Sequence, residues 1–152
     1  MSVTESTSSS QADEWLNYLQ NSGYRLTAPL RVLVGILSTS QHALGPVELY
    51  DLGRRQHPKL GLVTVYRTLD KLEELGLVQR VHQGNGCHMY LRAIQGHQHL
   101  LLCTCCGKAE YFSGDELNEL IAATARKSGF NIQGHWLQFD GLCAACQVRE
   151  GS

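Results

Sequence analysis

No run of apolar residues in this 152-residue chain approaches the length needed to cross a bilayer, so no membrane partner is expected. The Ser/Thr-rich N-terminus lacks a basic stretch followed by an apolar run, which argues against a secretory signal peptide. Six cysteines are therefore expected to serve a cytoplasmic protein as metal-binding thiols rather than as disulfides. Catalytic signatures are missing as well. A zinc deaminase would need His-x-Glu ahead of Pro-Cys-x-x-Cys, and a zinc protease His-Glu-x-x-His; neither is present. No internal repeat is visible. Nothing here suggests an enzyme.

Charge of one sign is also scarce, the net being −1, but it is unevenly placed. From Arg25 to Arg92 there are nine Lys/Arg against five Asp/Glu, whereas from Ala93 onward there are four against six. A mildly basic half is thus joined to an acidic one. With 43% hydrophobic residues the chain can build a core, as one domain or two small ones.

The acidic half holds two Cys-x-x-Cys knuckles, Cys103-Thr-Cys-Cys106 and Cys143-Ala-Ala-Cys146. A tetrahedral structural zinc takes four thiolates at about 2.3 Å, and two knuckles present them with little backbone rearrangement. The first is followed by Gly107 and the second preceded by Gly141-Leu142. Cys105 splits the first knuckle and is not expected to be a ligand. The loop between the knuckles is long enough to need structure of its own.

Taken in order, residues 1–11 read as a polar, disordered tail, and Asp13 to Gln20 as a short amphipathic helix ending near Gly23. Thr27 is a credible N-cap, and Pro29 suits a first helical turn, with Leu30, Leu33, Val34 and Leu37 as the apolar face. Counting from the Thr27-capped helix, Pro46 opens the second, through Leu49, Tyr50 and Leu52. Gly61 to Gly76 makes the third, burying Leu62, Val65, Leu69, Leu72 and Leu75, with Gly76 as its stop. Leu77–Val81 and Cys87–Leu91 alternate as strands around Gln83-Gly84-Asn85-Gly86. Three helices and a hairpin are a winged helix-turn-helix, assigned to residues 12–92, with a hinge at 93–96.

Residues 97–152 read as a small α+β domain stapled by a four-cysteine zinc. Strands are expected at His99–Cys103, Ala109–Phe112, Phe130–Ile132 and His135–Leu142. The helix between them should begin at a Ser113/Glu116 capping box, bury Leu117, Leu120, Ile121 and Thr124, and stop at Gly129.

The third helix turns Thr64, Arg67, Thr68 and Lys71 outward, with Tyr66 at the edge. Such a face can enter a DNA major groove. Arg67 could pair with guanine, Tyr66 and the Thr64 methyl could touch thymine, and Lys59 could meet phosphate; Arg31 is a further candidate contact. The alternative is a solvated basic face. Histidines give a second signal. His97 and His99 alternate on one strand, His82 and Cys87 flank the hairpin loop, and His135 lies eight residues before Cys143. Singly each is ordinary; together they suggest a second metal site.

These features resemble the ferric/zinc uptake regulators of bacteria from Gly23 to Gln147. The resemblance rests on Leu26-Thr27-Ala28-Pro29-Leu30-Arg31, Val63-Thr64-Val65-Tyr66-Arg67-Thr68-Leu69, His97-Gln98-His99 and both knuckles. It implies a homodimeric winged-helix repressor with a C-terminal dimerisation domain, binding operator DNA through Tyr66 and Arg67. Cys103, Cys106, Cys143 and Cys146 match the structural zinc set. Where iron sensors carry a Glu near Leu91, this chain has Cys87, so it is similar to the zinc uptake regulator branch. The implied sensing zinc takes His82, Cys87, His97 and His99. Counting back from Cys103 past Leu100-Leu101-Leu102 instead groups His97 and His99 with His135, and with Glu119. His42 is a reserve ligand. The regulatory zinc would fix the angle between the two halves. An iron- or peroxide-sensing regulator, or a zinc-stapled protein-interaction module, are the competing readings.

Overall fold

The structure is a computed structural model that describes residues 6–83, 86–94 and 98–151, with side chains from residue 11 onward. It divides into two compact units, residues 1–93 and 94–152. His97 and residues 95–96 of the expected hinge lie outside the described residues, as do 84–85 of the hairpin turn.

The first unit runs α1 (Ser6–Asn21), α2 (Ala28–Thr39), α3 (Pro46–Gln56), α4 (Leu62–Glu74), β1 (Val78–His82) and β2 (His88–Arg92). Local chemistry marks the boundaries. Thr27 caps α2 by accepting the Leu30 N–H at 3.4 Å, and Pro29 occupies the first turn, where no helical acceptor is lost. Gly76 ends the turn after α4 at φ +72°, a conformation costly for other residues. Helix α1 begins at Ser6, so part of the stretch expected to be a disordered tail is helical. Gln11 explains some of this, since its Oε1 accepts from Arg92 Nη1 at 2.7 Å and ties the helix to the hairpin.

The core of this unit gathers Trp15 and Leu19 from α1, Leu30, Leu33, Val34 and Leu37 from α2, and Leu49 from α3. Val65, Leu69 and Leu72 of α4 complete it with Val78 and Tyr90 of the hairpin. Leu44 adds a short third edge, exchanging both backbone bonds with Tyr90 at 2.8 Å. Helices α2, α3 and α4 with the small sheet are the winged helix-turn-helix expected from the sequence, and α1 packs against them through Trp15 and Leu19.

The second unit runs β3 (Gln98–Cys103), β4 (Ala109–Ser113), α5 (Leu117–Ser128), β5 (Gln138–Gly141) and α6 (Ala144–Glu150). The sheet order is β4-β3-β5, with β4 antiparallel and β5 parallel to β3. Leu100 and Leu102 are buried on one face and Leu101 is exposed on the other, the period-two pattern of a strand.

Four expectations for this unit need correction. The capping box does not form: Glu116 takes helical dihedrals and makes no side-chain cap bond. Instead the carbonyls of Gly114 and Asp115 accept the N–H groups of Leu117 and Asn118, so those donors are already satisfied. Helix α5 ends at Gly129 as expected, at φ +75°, but buries no residue within the single chain; Leu120 is 61% exposed. Residues 130–137 form no strand, and only Gln138–Gly141 pairs with β3. Finally, α6 follows the second knuckle directly, an element that seven residues gave too little periodicity to reveal.

Candidate metal centre and nucleic-acid face

The end of β3 delivers Cys103, and the chain then turns tightly. Gly107 at φ +76° lets its N–H reach the Cys103 carbonyl at 3.0 Å, while Cys103 N–H donates to the Lys108 carbonyl at 2.9 Å. This turn swings Cys106 back over Cys103. The second pair arrives through the parallel β3–β5 ladder, which sets Cys103 opposite Gly141. Thr104 reinforces that register by donating from N–H and Oγ1 to the Gly141 carbonyl, at 2.8 and 3.2 Å. Cys143 is the N-cap of α6 and Cys146 lies in its first turn, so one helical turn places both thiols on the same side.

All four sulfurs lie within 4.8 Å of one another, and Cys106 Sγ and Cys143 Sγ are 3.8 Å apart. Four thiolates at about 2.3 Å from a tetrahedral zinc stand about 3.8 Å apart. The preformed cluster is thus within about an ångström of a loaded geometry, and its donors are the soft ones zinc selects. Among the described residues, no carboxylate or imidazole belongs to the group. The thiol chemistry is polarised to match. Backbone N–H groups of Cys106 and Cys143 pull the Cys103 thiol down to about 6, the latter from 3.3 Å. The Cys146 N–H lowers Cys143 likewise, whereas burial pushes Cys146 well above the usual thiol range. Metal binding would have to expel that last proton. Cys105 is exposed and outside the cluster, as expected.

The histidines separate by unit. In the second unit His99 is buried on β3 and His135 follows α5; their ring centroids are 5.1 Å apart. Phe112, cross-strand partner of His99, closes the other side at 5.4 Å. Gly114 allows this packing, because a Cβ there would sit 2.6 Å from His99 Nε2. Of the two groupings left open by sequence, the His99–His135 contact belongs to the second. Glu119 lies exposed on the first turn of α5. Among the described residues, the four thiols are the only set of three or more donors that converges. In the first unit His82 and Cys87 are exposed, and the cross-strand neighbour of His82 is His88 rather than Cys87, the residue across the loop that the spacing had suggested. Only the strand register, His82 opposite His88, reveals that pair.

Helix α4 is rotated from the orientation expected. Thr68 is 5% exposed and joins Val65, Leu69 and Leu72 in the buried stripe, while Leu62 is 38% exposed. Lys71 lies over the Tyr24 ring at 4.5 Å rather than pointing outward. The outward face is Val63, Tyr66, Arg67 and Asp70, an i, i+3, i+4, i+7 row, with Thr64 exposed at its flank. Val63, 63% exposed, is an addition to the residues expected there. Lys59 and Arg31 are exposed as expected, and among the described residues neither they nor Arg67 engage a carboxylate. An exposed arginine, tyrosine and valine in one row can offer a base-edge donor and apolar contact for thymine methyl groups.

Comparison with known proteins agrees with this architecture. Residues 21–140 match the Ferric uptake regulator family. The chain is 32% identical to a ferric uptake regulation protein of Bacillus subtilis over 136 residues, covering 87% of this chain and 91% of the relative. It is equally 32% identical to a zinc uptake regulation protein of Mycobacterium tuberculosis, over 82% of this chain and 96% of that protein. The Helicobacter pylori ferric uptake regulator superposes with a TM-score of 0.72, covering 92% of this chain and 93% of that one, at 21% identity.

Proposed function

Because the chain belongs to the ferric uptake regulator family, whose members regulate transcription and are not enzymes, we propose that it is a zinc-responsive repressor acting as a cytoplasmic homodimer on operator DNA. The observation that carries the zinc reading is the donor chemistry. Four thiols converge without a carboxylate, a fifth thiol, Cys87, lies on the hairpin, and His99 pairs with His135. Thiol and imidazole donors favour zinc over Fe(II) and Mn(II), which prefer harder oxygen ligands.

Cys103, Cys106, Cys143 and Cys146 would hold a structural zinc, whose binding free energy would help fold the second unit. A regulatory zinc would draw on His99 and His135, with the Gly114 backbone and Phe112 holding the His99 ring in place. Arg67, Tyr66, Val63 and Thr64 on α4 would read bases, and Lys59 and Arg31 would meet phosphates. The second unit leaves Leu120, Phe130, Trp136, Phe139 and Val148 more than half exposed in the single chain. Apolar surface of that extent is what a homodimer would cover. Two α4 helices could then address two half-sites of one duplex.

An iron-sensing regulator is the second reading, favoured by the Bacillus subtilis relative, as similar to this chain as the zinc regulator is. Selection from a random duplex pool separates the two. Protein carrying one zinc per chain, protein carrying a second, and protein given anaerobic Fe(II) in its place are each used to enrich sequences. Enrichment of a two-half-site sequence only with the second zinc supports the proposal. Enrichment only with Fe(II) supports the rival.

A further inference from the structure

The hairpin of the first unit ends in a pair of imidazoles that neither the thiol cluster nor the His99–His135 contact uses. His82 closes β1 and His88 opens β2, and the antiparallel register sets them directly opposite. Directly opposed residues project from the same face of a two-stranded ladder. The Gln83 N–H donates to the Cys87 carbonyl at 3.1 Å, so the backbone is closed immediately beyond the pair. Both side chains are exposed, and their ring centroids lie 5.0 Å apart with planes inclined at 65°.

That separation has a chemical meaning. A divalent cation sits about 2.0–2.1 Å from each ligating nitrogen, along the line from the ring centre, which puts two rings on a tetrahedral ion about 5 Å apart. The observed 5.0 Å therefore matches the spacing of two rings that share one ion. Anchoring on adjacent strands lowers the ordering cost, because the ladder already fixes both Cα positions.

We propose that His82 and His88 form a further metal site, a hairpin-borne two-imidazole chelate for a borderline divalent cation such as Zn(II), Ni(II) or Cu(II). Its remaining coordination positions face solvent and take water. Two neutral ligands bind more weakly than four thiolates, so this site fills after the cluster. Cu(II) is held most tightly, as imidazole ligands follow the usual order of divalent affinities. Occupancy adds positive charge to the wing of the unit that carries α4. Any resulting gain in DNA affinity rests on the regulator reading; the binding itself does not.

The test uses the full chain with its thiol cluster loaded with zinc. Further Zn(II) is titrated while the imidazole resonances of all seven histidines are followed, and the equivalents bound are counted calorimetrically. The expected result is saturable movement of His82 and His88 together. His88→Gln should weaken that binding about tenfold or more, which is about 1.4 kcal/mol, and leave the cluster zinc in place. Cys87→Ser should leave it intact. Both positions are exposed, and a matching thermal transition for each variant would show that folding is unaffected. If His82 moves without His88, or if Cys87→Ser abolishes the event while His88→Gln does not, His82 belongs to a different ligand set and the proposal is overturned. DNA binding is measured separately on the same samples, so failure of the regulator reading would leave this result standing.

Discussion

Removing one thiol from the cluster should unfold one unit and spare the other, and the magnitude follows from how the two cores are built. Among the described residues, the fully buried large side chains of the second unit are Leu100 and Leu102, against ten in the first. At about 1.5–3 kcal/mol each, two leucines contribute about 3–6 kcal/mol. Ordering some tens of residues costs far more than that. Backbone hydrogen bonds and dimer contacts would offset part of the difference, and a zinc on the four thiols would supply the rest. Structural zinc in four-ligand peptides is worth about 10–16 kcal/mol, all of which is lost when the metal leaves. That matches or exceeds the about 5–15 kcal/mol by which whole domains are stable. Cys103→Ser should therefore release zinc and abolish the cooperative melting transition of residues 94–152. Hydrogen exchange should show 94–152 losing protection while α2 and α4 retain theirs. Calorimetry with metal counting reads both effects. A variant that loses its zinc yet keeps the protection of β3 and β4 would refute the argument.

Other outcomes follow from the same geometry. Zinc uptake by metal-free protein should release fewer protons at pH 7 than there are thiols, because Cys103, pulled down to about 6, has already ionised, whereas Cys146 has not. Heats measured in buffers of different ionisation enthalpy give the count. The Cys103 contribution runs in a defined direction: its folded value is depressed, so the stability it lends is complete above the ordinary thiol range of about 8.5. It is lost as pH falls through about 6. Gly114→Ala should force His99 from its position while sparing the thiol zinc, since the added Cβ meets the ring at 2.6 Å. Loss of the second zinc equivalent, with the first retained, is the expected reading. Arg67→Ala should cost about 1–3 kcal/mol in operator affinity and relax preference at its base, whereas Lys59→Ala should weaken all sequences alike and reduce the salt slope by about one.

Where a boundary depended on a residue's own conformational needs, the sequence was easy to read. Thr27 and Pro29 opened α2, and Gly76 and Gly129 closed α4 and α5, because caps and left-handed turns are local chemistry. The thiol cluster was legible for the same reason: ligand spacing within a knuckle is a property of a few residues. Orientation about a helix axis was harder. Both Thr64-Arg67-Thr68-Lys71 and Val63-Tyr66-Arg67-Asp70 are helical rows, and a threonine methyl can be buried as readily as a valine. Packing by α4's neighbours decided for Thr68 burial. Helix α5 shows the converse limit. Its apolar spacing is real, but periodicity does not say what covers a stripe, and in the single chain none of its residues is fully buried. The His82–His88 pair was invisible to spacing since strand register creates it, whereas counting back from Cys103 had already grouped His99 with His135.

The central claim is that zinc, rather than iron, governs DNA binding. Its most direct test is the affinity of the dimer for a selected two-half-site duplex, measured across buffered free Zn(II) and then with anaerobic Fe(II) or Mn(II) in its place. At fixed salt, a tightening of tenfold or more, about 1.4 kcal/mol of coupling, should track occupancy of the second zinc and be absent with Fe(II). Equal tightening by Fe(II), or an affinity indifferent to the second zinc, would contradict it.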